Sequence, residues 1–196
     1  MEFFNNISTF YLISFLMLFR AFLYQLPGYL LDAVVLVLGL GLLGQVFKLT
    51  ELSLYQFALF PVFGVVMFLI STGISSHLKL TLQAMINNLT RLDRDIYWLT
   101  LLHLATAIYE EIIWRGIFLI AMSNIAGASL SVIVSSVFFV VWHKSQLISW
   151  RHVTEMFLFS IVQCVLYFIF ENIFLIITIH FIRNIFVVIT NYGLKR

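Results

Sequence analysis

Long apolar stretches separated by short polar breaks dominate the chain. A membrane-crossing helix needs about 20 mostly apolar residues. Seven stretches approach or exceed that length, at about 8–26, 30–47, 54–74, 97–121, 126–147, 153–170 and 172–191. Gln25-Leu26-Pro27-Gly28 reads as a turn between the first two. Lys48-Leu49-Thr50-Glu51, Asn124-Ile125-Ala126-Gly127 and Glu171-Asn172 mark later breaks. Read as one helix, 153–191 would run about 58 Å, nearly twice the hydrocarbon thickness, so two helices are expected there. Between the third and fourth stretches the pattern changes. Leu82, Met85, Ile86, Leu89, Leu92 and Ile96 recur at helical spacing, with Lys79, Asn87, Asn88, Arg91, Asp93, Arg94 and Asp95 between them. That pattern predicts an amphipathic helix lying on the membrane surface.

Composition narrows the class. Residues are 62% hydrophobic, 17% aromatic and 10% charged, with a mean hydropathy of +1.05. A soluble domain carries about 25% charged residues, so a water-soluble globular protein and a disordered one are both excluded. The expected fold is all-α: a polytopic integral membrane helix bundle of about seven transmembrane helices with one amphipathic interfacial helix. Residues 1–96 would form accessory helices and the interfacial helix, 97–191 the functional bundle and 192–196 a cytoplasmic tail. The flank Met1-Glu2-Phe3-Phe4-Asn5-Asn6 lacks the basic region of a signal peptide, so the first span is expected to stay in place. Basic residues orient the bundle. Lys79, Arg91, Arg94, Lys144, Arg151, Lys195 and Arg196 fall on one side and Lys48 alone on the other, which puts the N-terminus outside and the C-terminus in the cytoplasm. A net charge of +2 gives no basis for nucleic-acid binding. The lone Cys164 excludes a disulfide framework and a cysteine-based metal site.

Ionisable residues inside spans cost about 2.5–3.5 kcal/mol each at the bilayer centre. Glu110, Glu111 and Arg115 lie in the fourth span, His143 in the fifth, and His180, Arg183 and Asn184 in the seventh. They must face one another or a wet cavity. Glu111 and Arg115, four apart, share a helix face and pair. Glu110 points about 100° away from Glu111. His180 and Asn184 share a face, as do Phe139 and His143. The depths of these groups agree with one pocket reached from the cytoplasmic half. A carboxylate and an imidazole within reach of one water make a general-base pair, and a second His with an Asn amide supplies donors to an oxyanion. The chemistry suggested is acyl hydrolysis by activated water. Ser135, Ser136 and Cys164 qualify as nucleophiles only by residue type, and the serine pair suits close helix packing. Glu and two His also suit zinc with an open water position, although the single-helix HExxH motif is absent. A metal-free site is favoured and zinc is the competing reading.

These residues resemble a family. Glu110-Glu111-Ile112-Ile113-Trp114-Arg115-Gly116 matches EExxxRG, Phe139-Val140-Val141-Trp142-His143 matches FxxxH, and His180-Phe181-Ile182-Arg183-Asn184 matches HxxxN. Three such motifs in this order on three membrane helices resemble the CPBP (CAAX protease and bacteriocin-processing, Abi) family of intramembrane endopeptidases. The resemblance covers about 97–191. It implies that Glu110 activates the hydrolytic water with His143, that Glu111 holds Arg115 in an ordering ion pair, and that His180 and Asn184 stabilise the oxyanion. It implies a glutamate-dependent mechanism without a resident cofactor, and a peptide or lipidated-peptide substrate at the membrane. A short chain without targeting signals suits a bacterial cell membrane.

Other readings remain at this stage. The same fold would serve a non-catalytic bacteriocin self-immunity protein, and the glutamates would serve a small proton-coupled transporter, although no inverted repeat is visible. His103 reads as a packing or helix–helix hydrogen-bonding residue, with a supporting role behind the site as the lesser alternative, and His77 and His152 as solvated loop residues. Arg183 would snorkel to the interface or pair with Glu171 or Glu155, and the sequence does not choose among them. Trp98, Trp142 and Trp150 read as an aromatic belt. Gly39, Gly41 and Gly44 read as close-packing positions of the second span.

Overall fold

The computed structural model describes residues 7–22, 28–46, 54–90, 94–143 and 149–191. Among them every regular element is helical: α1 (Ile7–Phe22), α2 (Gly28–Val46), α3 (Leu54–Ser75), α4 (Leu78–Leu89), α5 (Asp95–Glu111), a π-helical stretch (Ile112–Leu119), α6 (Ile120–Ala126), α7 (Ala128–Trp142), α8 (Trp150–Phe170) and α9 (Ile173–Asn191). The turn before Gly28, the break at Lys48–Glu51, the residues Arg91, Asp93 and Lys144, and the tail at 192–196 lie outside the described residues.

The helix boundaries follow local chemistry. Gly127 adopts φ +78°, a conformation that costs glycine little, and separates α6 from α7. Glu171 takes the left-handed conformation at φ 46°, and the Asn172 side chain accepts the Leu175 N–H at 3.0 Å to cap α9. The stretch 153–191 is therefore two helices, as its length requires. Ser149 caps α8 by accepting the His152 N–H. The fourth apolar stretch runs without a break from Asp95 to Ala126, through the π-helical turns. Its sequence gave no sign of those turns.

By length and apolarity, three helices suffice to cross a membrane: Ala58–Ser75, Trp150–Phe170 and Ile173–Asn191. Ser8–Phe19, Leu30–Gly39 and Ala128–Trp142 are apolar but shorter. Large apolar side chains such as Val37, Val62 and Ile169 remain exposed around the bundle, a surface suited to lipid. The protein is thus an all-helical integral membrane protein. On α4, Leu80 and Ile86 are exposed while Asn88 is buried. The Asn88 amide donates at 2.9 Å to the carbonyls of both Ile189 and Thr190, so α4 caps the end of α9.

The core lies on the π-helical stretch. Ile113, Trp114, Ile117, Phe118 and Leu119 are fully or almost fully buried there, against α1, α2, α7, α8 and α9. Lipid supplies no hydrophobic drive between helices, so close approach carries the packing. Gly39 of α2 provides one such approach, because a Cβ there would fall 2.4 Å from Ile117. Gly64 of α3 provides another, because its Cβ would fall 2.7 Å from the Ile182 Cβ and 3.3 Å from the Ile179 carbonyl oxygen. α3 packs on α9 and α8, and α7 packs on α8. These contacts bring the ends of α5 and α7 and the middle of α9 together.

Gly64→Ala should lower stability by about 1–3 kcal/mol, the usual cost of overpacking. Gly73→Ala is the control, since nothing lies within 4 Å of a Cβ there. Thermal unfolding in detergent, compared between the two variants, measures the difference.

Candidate active site

Glu110 and Glu111 end α5, and Arg115 follows in the π-helical stretch. Glu111 and Arg115 are fully buried. Arg115 Nη1 donates to Glu111 Oε1 at 3.0 Å, the pairing that their spacing predicts. Arg115 Nη2 donates to Ser160 Oγ of α8 at 3.1 Å, and the guanidinium lies 4.6 Å from the Phe139 ring centroid. A buried guanidinium needs such partners, because an unpaired charge in this setting is costly. Trp114, next to it, meets Phe118, Phe139 and Trp142 edge-on. Trp142 therefore packs into the core rather than joining an aromatic belt, whereas Trp98 and Trp150 are exposed.

The two histidines come from opposite sides. His143 lies just past the end of α7, and its Nδ1 is 2.8 Å from the Phe139 carbonyl oxygen. A carbonyl only accepts, so Nδ1 donates to it and Nε2 is the nitrogen left for Glu110. His180, in the middle of α9, has Nδ1 2.5 Å from Glu111 Oε1. The carboxylate also only accepts, so Nδ1 of His180 donates to Glu111 and Nε2 is turned toward Glu110. Both Nε2 atoms face Glu110: His143 at 3.4 Å from Oε1 and His180 at 3.7 Å from Oε2.

The two carboxylates do not have wholly separate partners. His180 bridges them, donating to Glu111 and facing Glu110. Glu111 Oε1 consequently serves Arg115 and His180 together. Of the six residues singled out by spacing, Glu110, His143, His180 and Asn184 line one cavity of about 250 Å³. Glu111 and Arg115 lie behind it, buried. Phe159 of α8 lines the cavity and meets the His180 ring edge-on at 5.3 Å.

Several lining residues carried no motif. His103 and Thr106 of α5 line the cavity, so His103 is more than a packing residue. His152 sits in the first turn of α8, with its Nδ1 2.9 Å from Ser149 Oγ, and lines the cavity instead of a solvated loop. Of the two candidate partners, Arg183 pairs with Glu155. Glu155 is itself an ionisable group inside an apolar stretch, and that was the signal available for it. Ser160 gave none. Ser135 and Ser136 are fully buried and away from the cavity lining, and Cys164 is likewise buried. Among the described residues no group of three or more His, Cys, Asp or Glu side chains is arranged to hold a metal ion.

Fold and site together define a helical membrane protein with a buried glutamate–histidine cluster facing a cavity. Residues 92–186, just under half of the 196-residue chain, match a family model described as Rce1-like: Type II CAAX prenyl endopeptidase Rce1-like. Over that segment the chain is similar to the Rce1-like family, in line with the CPBP resemblance carried by the three motifs. No curated protein and no solved structure matches the chain.

Arg115→Met should destabilise the protein by about 3–5 kcal/mol, because it leaves the Glu111 charge buried without its partner. Glu111→Gln combined with Arg115→Met should recover most of that loss. Chemical or thermal unfolding of both variants in the same detergent checks the pair.

Proposed function

We propose that the protein is an integral membrane endopeptidase that hydrolyses a peptide bond with a water activated by Glu110 and His143. The observation that carries this reading is the convergence of two imidazole Nε2 atoms on the two oxygens of one buried carboxylate, at 3.4 and 3.7 Å. The family match supports the reaction class.

A water placed between Glu110 Oε1 and His143 Nε2 gives one hydrogen to each. As its oxygen attacks the scissile carbonyl, one O–H bond breaks and that proton passes to the Glu110–His143 pair. A C–O bond forms, and the carbonyl π electrons move onto oxygen. The resulting oxyanion needs donors already in place. Asn184 offers its amide N–H. His180 offers Nε2–H when protonated, and Glu111 at its Nδ1 is the counter-charge for that imidazolium. Collapse of the intermediate breaks the C–N bond, and the Glu110–His143 pair returns the proton to the leaving amine. Glu111 and Arg115 do not touch the reacting atoms in this scheme; they hold the orientation of His180 and of the helix that carries Glu110.

The substrate class we assign is a peptide, or a lipidated peptide, presented at the membrane. The location we assign is a bacterial cell membrane, with about seven spans, the N-terminus outside and the C-terminus in the cytoplasm. The water is activated by the two bases directly, with no resident metal in the scheme.

Purified protein in nanodiscs should cleave members of an internally quenched peptide library. Glu110→Gln or His143→Ala should lower kcat by about 10²-fold or more, the usual contribution of a positioned base, at unchanged expression. Cleavage that persists undiminished in both variants would remove the protease reading. Pre-incubation with 1,10-phenanthroline should leave the wild-type rate unchanged. Loss of activity that added zinc restores would put a metal at Glu110, His143 and His180 instead.

A further inference from the structure

Arg183 and Glu155 line the same cavity, and the hydrolytic scheme does not use them. Arg183 follows the motif histidine by three residues and precedes Asn184. Its guanidinium reaches three partners on three helices. Nη1 donates to Asn184 Oδ1 at 3.1 Å, Nε donates to Ser71 Oγ of α3 at 3.2 Å, and Nη2 pairs with Glu155 of α8. The Ser71 hydroxyl in turn donates to Glu155, so serine and carboxylate hold the guanidinium from one side. The guanidinium face lies 4.7 Å from the Phe159 ring centroid, the same ring that meets His180 edge-on. Glu155 and Ser71 are buried. These are restrained contacts, not a solvated surface pair.

A side-chain amide has nearly the same shape with oxygen and nitrogen exchanged, so packing alone does not choose which end faces the cavity. A fixed cation does choose. Arginine has donors and no acceptor, so the Asn184 oxygen must face it. The Asn184 NH₂ is then the end left for the cavity that Asn184 lines. Lysine would not serve, since an ammonium is a compact point charge without the planar fork that reaches three partners at once.

We infer that Arg183 is a positioning residue that, anchored by Glu155 and Ser71, fixes the Asn184 amide with its N–H groups toward the reacting carbonyl. The inference rests on the reading of Asn184 as an oxyanion donor and extends it. It also gives α3 a part in the site. Ser71 lies outside the matched residues 92–186, so a helix from the accessory half holds a side chain of the hydrolytic half.

Two measurements test it, one of them independent of catalysis. Protein labelled with ¹⁵N-asparagine in nanodiscs shows the Asn184 side-chain amide pair, assigned by its disappearance in Asn184→Asp. Arg183→Leu should shift that pair and speed its exchange with water about tenfold, the factor expected for losing a charged hydrogen bond. An unchanged amide pair overturns the inference, whatever the enzyme does. The second measurement uses the internally quenched peptide that the wild-type protein cleaves best. Asn184→Ala should lower kcat about 10²–10³-fold, the range for loss of one oxyanion donor. Arg183→Leu should lower kcat about tenfold with KM within about twofold, and Arg183→Lys should not restore it. The double variant should be no slower than Asn184→Ala alone, because Arg183 acts through that amide. Losses that multiply, or a loss confined to KM, overturn the inference. Ser71→Ala, the mildest variant, should move the amide pair in the same direction and lower kcat by less. If Glu110→Gln cleaves normally in parallel, the protease reading fails while the amide spectrum still decides the role of Arg183.

Discussion

The carboxylate oxygen Glu111 Oε1 organises the site. It accepts from Arg115 at 3.0 Å and from His180 at 2.5 Å, at complete burial. In an apolar bundle no water replaces a missing partner, so the carboxylate, the guanidinium and the imidazole hold one another in a single arrangement. The rest of the site follows. Because Glu111 takes Nδ1 of His180, Nε2 turns toward Glu110. Because the Phe139 carbonyl takes Nδ1 of His143, that ring turns its Nε2 the same way. Backbone and buried carboxylate thus fix which nitrogen of each histidine faces Glu110.

The scaffold explains why these groups stay put. Glu110, Glu111 and Arg115 sit where α5 passes into π-helical turns, and that stretch contributes a run of fully or almost fully buried apolar residues. π-Helical turns are rare and concentrate at functional sites, where they re-aim side chains at some cost in backbone hydrogen bonding. Here Ile113, Trp114, Ile117 and Phe118 pack on every side of the stretch, and Gly39 of α2 leaves the room that Ile117 occupies. The accessory half of the chain is therefore part of the support for the site, through Gly39 below and Ser71 beside Arg183.

Much of this was legible in the sequence, and the physics explains which part. Hydropathy and length separate the helices, because an apolar run in lipid has few alternatives to a helix. The break at Glu171-Asn172 follows from the thickness of a bilayer. Ionisable groups in apolar runs mark the site, since each must find a partner, and the four-residue spacing of Glu111 and Arg115 names one such pair. Side-chain encounters between helices were less accessible. Nothing in the spacing showed that His180 would bridge both glutamates, that Ser160 would take Arg115, or that His152 and His103 would line the cavity. The choice of Glu155 over Glu171 for Arg183 depends on how α8 packs beside α9, which spacing along the chain does not give. The π-helical turns left no trace, because their residues are as apolar and helix-compatible as those around them. The family match covers the same region as the motifs and supports the same reaction class.

A structure determined with a peptide aldehyde bound in a lipid nanodisc tests the account most directly, since the hydrated aldehyde mimics the tetrahedral intermediate. The account predicts one hydrate oxygen between Glu110 and His143 and the other against the Asn184 amide and His180. An aldehyde seated elsewhere, or Glu110, His143 and His180 held apart with no common ligand atom, would contradict it.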